Sequence, residues 1–432
     1  MLEFHANLYF CRQIVLSNFM IMSHIKNPFV KYAILFMLLV VSFFLFVLFS
    51  AFLPSRIIQR HVYHAAKSLN EAGNYPRALI DEETCRLDNF TDALILNQIY
   101  SVDRHEPLRS AMRVSRWQTE PAYDQTGSLY LQTRHAEGLE EVDYNYYWHG
   151  STFLYRFLLL FFSFSQLKLL MYVTVFLLLL FFLRSYYPLA GAWNSMAFLF
   201  SWMLVYGFVM PASLQFFPIL AISLIASLLV IRYRKNPQAL GVVFFVTASL
   251  SAFFDLLTVP LLTFGWSVAV WLSLPAKKPL TLSEGLRNLL VWGLLWVAGY
   301  VLTFLAKWLL GAAVLGGDVL SNAFQSGLYR VGAEDFSRWD ALVLNIKLLP
   351  TKMVLITVVL FLAAGILRSR GSFGVRGVLL LLVALMPYIW YLVFSNHSYQ
   401  HYWFTYRLQA VTLCAVLMAL LGSSRRQFTS KM

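Results

Sequence analysis

Charge is scarce in this chain, and it is lopsided. Only 13% of the 432 residues are Asp, Glu, Lys or Arg, with 34 basic side chains against 21 acidic ones. So little charge, beside 59% hydrophobic and 17% aromatic residues, excludes a soluble globular protein. Cysteine is rarer still. Cys11, Cys85 and Cys414 are odd in number and far apart, so neither a disulfide framework nor a cysteine-rich metal site is available. A glycine-rich phosphate loop, a G-x-S-x-G elbow and an H-E-x-x-H pair are all missing, which argues against nucleotide-driven transport, serine hydrolysis and zincin chemistry.

Long apolar runs are what the chain has in abundance. Runs of about 18 or more residues recur over most of its length, the mark of helical spans rather than of the short alternating strands of a barrel. The expected fold is an all-α integral membrane protein with about ten transmembrane helices and a large first extracytoplasmic loop containing helices. Residues 1–53 form a cytoplasmic N-terminus and the first transmembrane helix. Residues 54–150, mixed in charge and with no stretch able to span, form the large loop. Residues 151–432 supply an interfacial helix or re-entrant segment over 152–163, too short to span and holding Arg156, and then a multi-span domain. Further spans are expected near 166–183, 190–208, 214–231, 239–255, 258–274, 287–309, 351–367, 376–394 and 405–421.

The net charge of +13 lies mostly between spans, where Lys and Arg set topology, so no nucleic-acid role follows. Alternate short loops hold Arg184; Arg232, Arg234 and Lys235; Lys277, Lys278 and Arg287; Arg368, Arg370 and Arg376; and Arg425 and Arg426. The loops between them, 211–215 and 255–260, hold no Lys or Arg. This alternation predicts a multi-pass protein of the cell membrane with both termini cytoplasmic. Residues 54–150, Asp255, the 310–349 loop and the polar hinge 395–407 then share the extracytoplasmic side.

Ionisable groups at a span boundary are costly, at roughly 2.5–3.5 kcal/mol each on insertion scales, so each one kept there needs a reason. Asp88 and Asp92 are four apart and share one helix face if a helix begins early enough. Paired acids can deprotonate a hydroxyl or hold a divalent cation. The plainer reading makes Asp88 a helix N-cap and Asp92 a solvated first-turn residue. Asp255 sits among apolar residues, either at a helix terminus or facing a cavity. Arg407 offers a rigid fork that matches phosphate, or snorkels to head groups. His397 and His401 can serve as acid, phosphate donor or metal ligand, or as interfacial anchors along with their Tyr and Trp neighbours. Two histidines alone do not define a metal site, and any third ligand has to come from Asp88, Asp92 or Asp255.

The segments Leu87-Asp88-Asn89-Phe90-Thr91-Asp92-Ala93, Tyr147-Trp148-His149-Gly150, Phe254-Asp255-Leu256-Leu257-Thr258 and Asn396-His397-Ser398, with His401 and Phe404-Thr405-Tyr406-Arg407 following, look like those of a family of bacterial polytopic membrane proteins. The whole architecture resembles the GT-C class of membrane glycosyltransferases. That resemblance implies an enzyme that moves a sugar from a polyprenyl-phosphate-linked donor to a glycan acceptor during cell-surface assembly, outside the cytoplasm and against membrane lipid. Asp92 or Asp88 would then be the catalytic base. Arg407, His401 and His397 would hold the donor phosphate, with Asp255, His149 and Trp148 in support. The resemblance fixes no cofactor and leaves a divalent cation held by the acid open. One departure from the class is that the acid lies well beyond the first span rather than soon after it. The competing readings are a transporter or flippase for a lipid-linked saccharide and a non-catalytic membrane subunit of a wall-assembly complex. A transporter calls for midplane acids and internally repeated, broken spans, and neither pattern is visible.

Overall fold

The computed structural model describes residues 27–79, 82, 84–120, 124–276, 278–333, 336–369 and 374–422. Cys11, Lys277, Arg370, Arg425 and Arg426, and the side chain of Arg368, lie outside the described residues. The chain divides into two compact units, residues 1–45 and 46–432, with the division inside helix α1 (Pro28–Ala51).

Beyond α1, the segment to residue 149 is built from α2 (Ser55–Ala72), α3 (Asn89–Tyr100), α4 (Pro107–Arg113) and α5 (Gln125–Gln132). A two-stranded antiparallel ribbon joins β1 (Arg116–Gln118) to β2 (Glu140–Val142). None of these helices is apolar enough to cross a membrane. They close on a core of Ile58, Val62, Leu69, Ile95, Ile99 and Leu129. The Asn97 side chain bonds both the N–H and the C=O of Trp117, at 2.8 and 2.7 Å, and so fixes the ribbon to α3.

The helices that follow are α6 (Gly150–Leu158), α7 (Phe164–Met203), α8 (Phe216–Tyr233), α9 (Pro237–Phe254), α10 (Leu262–Ser273) and α11 (Leu282–Leu315). After them come α12 (Val319–Val331), α13 (Arg338–Lys347), α14 (Thr351–Ser369), α15 (Val375–Val393) and α16 (Ser395–Gln400). A last run, Tyr402–Leu420, is α17 (Tyr402–Thr405), a 3-10 turn Tyr406–Gln409 and α18 (Ala410–Leu420). Among the described residues, seven helices are long and apolar enough to cross a membrane, and eight if the bent pair of α13 and α14 is taken as one. Several long apolar helices therefore make this a multi-pass membrane protein.

The sequence divides α7 into two spans, and its geometry explains why. Forty helical residues would reach about 60 Å, twice the hydrocarbon thickness. At Gly191 the backbone leaves helical geometry, with φ 82°, a value that glycine adopts without strain. The two arms then pack on each other. Phe182 meets Phe198 with ring centroids 4.4 Å apart, and the Tyr172 hydroxyl donates to Phe208 O at 3.1 Å, two pairs equally spaced about position 190. The expected span at 258–274 is represented by α10, only 12 residues long and almost wholly enclosed by its neighbours.

The two ends of the bundle differ in charge. At one end Trp271 donates to Arg234 O, Trp292 to Pro237 O, and Arg376 to Leu272 O, gathering the loops that carry Arg and Lys. At the other end Trp148 donates to Thr303 O and Lys307 to Met112 O, so residues 54–149 sit against the ends of α9 and α11.

Helix α6 is buried along the face that holds Phe153, Tyr155 and Arg156. Its arginine is accommodated because the guanidinium finds acceptors on every side. Arg156 donates to Ser50 O, Ile99 O and Leu53 O at 3.0–3.1 Å and to Ser55 Oγ at 2.8 Å. One side chain thus ties together the end of α1, the start of α2 and the end of α3. Arg156→Met strips donors from buried acceptors and should destabilise by roughly 2–4 kcal/mol. The expected outcome is an apparent Tm in detergent several degrees lower, and an unchanged Tm contradicts this role.

Candidate functional site

Asp88 caps α3. Its Oδ1 accepts from Thr91 N at 3.1 Å and Thr91 Oγ1 at 2.9 Å, the local geometry that an Asp N-cap favours. Its Oδ2 is buried without a hydrogen-bond partner. Burial first, and the neighbouring Asp92 charge second, push the Asp88 pKa up to about 6, while Thr91 and Arg407 pull the other way.

Asp92 lies one turn further on and is 1% exposed rather than solvated. Both of its oxygens are committed. Oδ2 pairs with Lys168 Nζ at 2.9 Å, and Oδ1 accepts from Leu214 N at 2.8 Å. Leu214 begins a short stretch that reaches every other part of the site. Gln215 Nε2 donates to Asp255 Oδ1 at 3.4 Å and bonds Thr258 Oγ1. The Phe216 ring lies under the Arg407 guanidinium, 5.2 Å from centroid to carbon. Asp255 keeps Oδ2 buried and unpartnered, two residues before Leu257, which is held at φ 70°, a strained value for a leucine.

Arg407 is carried on the 3-10 turn after α17 and is 1% exposed. Its Nη2 donates to Arg86 O at 2.8 Å, two residues before Asp88, and its Nε is buried with no partner. The segment that follows α1 and the C-terminal hinge, distant in sequence, therefore meet at this point.

His397 and His401 lie side by side on the hinge, ring centroids 4.8 Å apart and planes tilted by 54°, with His397 bonded to the Leu257 backbone and its Nε2 left unpartnered. Burial lowers both pKa values, that of His401 to about 4, and the Arg330 charge adds to the effect. Both rings are neutral at physiological pH, able to donate one hydrogen bond each but not to bring a charge. Phe404 links them to the arginine, stacked on His401 at 5.1 Å and edge-on to Phe216 at 6.4 Å.

Trp148 and His149 are turned to framework partners. Trp148 donates to Thr303 O, and His149 Nε2 bonds Tyr144 O at 2.7 Å while burial pulls its pKa down to about 3. Its Nδ1 stays buried and unpaired, in a backbone at φ 55°.

The described residues include no group of three His, Cys, Asp or Glu side chains placed to hold a metal ion. Asp92 does not fit a cation ligand, because the Lys168 ammonium already pairs with it at 2.9 Å and would repel a second cation. Both described cysteines, Cys85 and Cys414, are buried thiols.

The structure thus arranges the expected residues as two lobes joined through Leu214–Phe216, Asp88 with Arg407 in one and Asp255 with the histidines in the other. Four residues of the site were not anticipated: Lys168, Gln215, Thr258 and Arg330. Lys168 was open to the argument that singles out Asp255, a lone charge at the start of an apolar run. Arg330, which donates from Nε to the Tyr147 hydroxyl at 2.8 Å and faces both histidines, carried no such signal in its mixed loop. No protein-family model, no curated protein and no solved structure matches the chain.

The raised Asp88 pKa has a consequence for stability. A folded pKa of about 6 lies above the unfolded value of about 3.9, so stability tied to this carboxyl is present below that lower value and is lost as pH rises through 6. Asp88→Asn keeps a capping side chain and removes the charge. The variant should melt a few degrees above the parent at pH 7.5, and the two should converge near pH 4. A variant that melts lower at every pH contradicts the assignment.

Proposed function

We propose that the chain is a GT-C-like membrane glycosyltransferase. In this reading it transfers a sugar from a polyprenyl-phosphate-linked donor to an acceptor in cell-surface glycan assembly, on the extracytoplasmic side of the cell membrane with both termini inside. The observation that carries the reading is the Asp88 carboxylate. One oxygen holds the helix cap, the other is buried and free, its pKa is lifted toward neutrality, and Arg407 stands beside it. A base with a pKa near the working pH combines the right protonation state with useful basicity. Two further features agree with the class. Counting α7 twice for its turn at Gly191, the bent α13–α14 pair once and the short α10 once brings the crossings to the expected ten. The charge difference between the two ends of the bundle fits an extracytoplasmic site.

In the proposed reaction Asp88 Oδ2 takes the proton of the acceptor hydroxyl as its oxygen bonds to the anomeric carbon. The bond from that carbon to the donor phosphate oxygen breaks, and its electron pair leaves with the polyprenyl phosphate. Charge grows on the departing phosphate, and Arg407, with N–H donors from His397 or His401, stabilises it. Asp92 has a different task, holding Lys168 and Leu214 so that the site keeps its shape.

These roles separate under substitution. Asp88→Asn should cut turnover by roughly 10²-fold while lipid donor still binds. Arg407→Lys keeps a charge and loses the fork, so activity should fall with protein level unchanged. Asp92→Asn should act through lower yield and Tm, because it weakens the hold on Lys168. Sugar transfer assayed in membranes decides, and full activity in both Asp88→Asn and Arg407→Lys removes the proposal. A cysteine at exposed position Glu137 that reacts with an impermeant maleimide only after permeabilisation reverses the orientation.

A further inference from the structure

Helices α12 and α13 each have one face packed on the hinge and one face bare. On the inner side Ala323, Ala341 and Asn345 are buried. Asn345 Nδ2 donates to Ser398 O at 2.9 Å, Ser395 Oγ to Gly332 O at 2.7 Å and Asn396 Nδ2 to Tyr329 O at 2.8 Å, and Phe336 stacks on Tyr399 at 4.1 Å. The outer side is a continuous apolar stripe. Leu320, Phe324 and Leu328 follow at spacings of four along α12, and Trp339, Val343 and Ile346 at four and three along α13, all of them 43–64% exposed.

We infer that these two helices form an amphipathic elbow lying in the bilayer interface, with the lipid at the boundary of head groups and acyl chains as its occupant. Three observations select lipid over water or a protein partner. First, α13 meets the next helix at 76°, so with that helix crossing the membrane α13 lies close to the membrane plane. Second, its apolar stripe runs on into α14, where Met353, Ile356 and Val359 are 57–63% exposed as lipid-facing side chains are. Third, Arg338, Lys347 and Lys352 flank the bend with Asp340 the acid among them, a charge pattern suited to lipid phosphates. A stripe of this kind left in water would be costly and prone to association.

The elbow gives the hinge its setting. Bonds from its inner face hold Ser395, Asn396 and Ser398, on either side of His397, so immersion of the outer face in lipid helps to position His397 and His401. This inference rests on the membrane-spanning reading and not on the transfer chemistry, so its failure leaves that proposal standing.

The test uses the full chain with Cys11→Ser, since Cys85 and Cys414 are buried. Nitroxides are placed at Val343→Cys and, separately, Phe324→Cys, in nanodiscs of phosphatidylethanolamine and phosphatidylglycerol. A label at exposed Glu137→Cys serves as the aqueous reference. Relaxation by oxygen should exceed relaxation by a water-soluble nickel chelate at both elbow positions, with the opposite order at Glu137. Nickel-dominated relaxation at positions 343 and 324 overturns the inference. So does low access to both reagents, which would mean a protein cover.

Discussion

Asp92 brings three distant stretches of chain to one point. A carboxylate this deeply buried is tolerated only where donors replace the water it has lost. Here those donors are Lys168, near the start of α7, and the Leu214 amide, just before α8. The two arms of α7 must therefore return to the same end of the bundle, and the turn at Gly191 allows it. With Leu214 fixed, Gln215 is aimed at Asp255 and Thr258, and Phe216 is set beneath Arg407. The Tyr155 hydroxyl, donating to Leu214 O at 2.6 Å, secures the same turn from the side of α6. Each lobe of the site thus depends on one carboxylate, held by Lys168 and Leu214.

Asp88 shows the opposite economy. As a helix cap it needs only one oxygen, and the second is left buried and unpaired. Unpaired buried acceptors in a folded protein call for an explanation, and they concentrate where function sets the terms rather than stability. Asp255 Oδ2, His397 Nε2 and Arg407 Nε are in the same state. Four such atoms lie in the two lobes, and in the proposed reaction the donor and acceptor would complete them.

Much of this was legible in the sequence because hydrocarbon imposes strong rules. Apolar runs and the Lys and Arg between them located the helices, and the pause over Arg184–Pro188 separated the arms of α7 that Gly191 in fact divides. The cap at Asp88 followed from Asp standing just ahead of a helical pattern. Partner choice was not legible. Nothing in spacing links Asp92 to Lys168 or Arg407 to Arg86, since such pairs are fixed by how helices pack. Arg156 is a related case. An arginine in a short apolar helix reads as interfacial or re-entrant, and only the packing shows the carbonyls of Ser50, Leu53 and Ile99 gathered around it. The elbow of α12 and α13 was obscured by its mixed composition, and its apolar stripe emerges only once the buried face is known.

The claim at the centre of the account is that the chain spends a lipid-linked sugar on a surface glycan. Mass spectrometry of polyprenyl-linked sugars and of surface polysaccharides, in cells that lack the chain and in cells that carry Asp88→Asn, addresses it directly. If the chain transfers the sugar, one sugar disappears from the surface glycan while its polyprenyl-phosphate donor accumulates, equally in both strains. An unchanged glycan with an unchanged donor pool would contradict it.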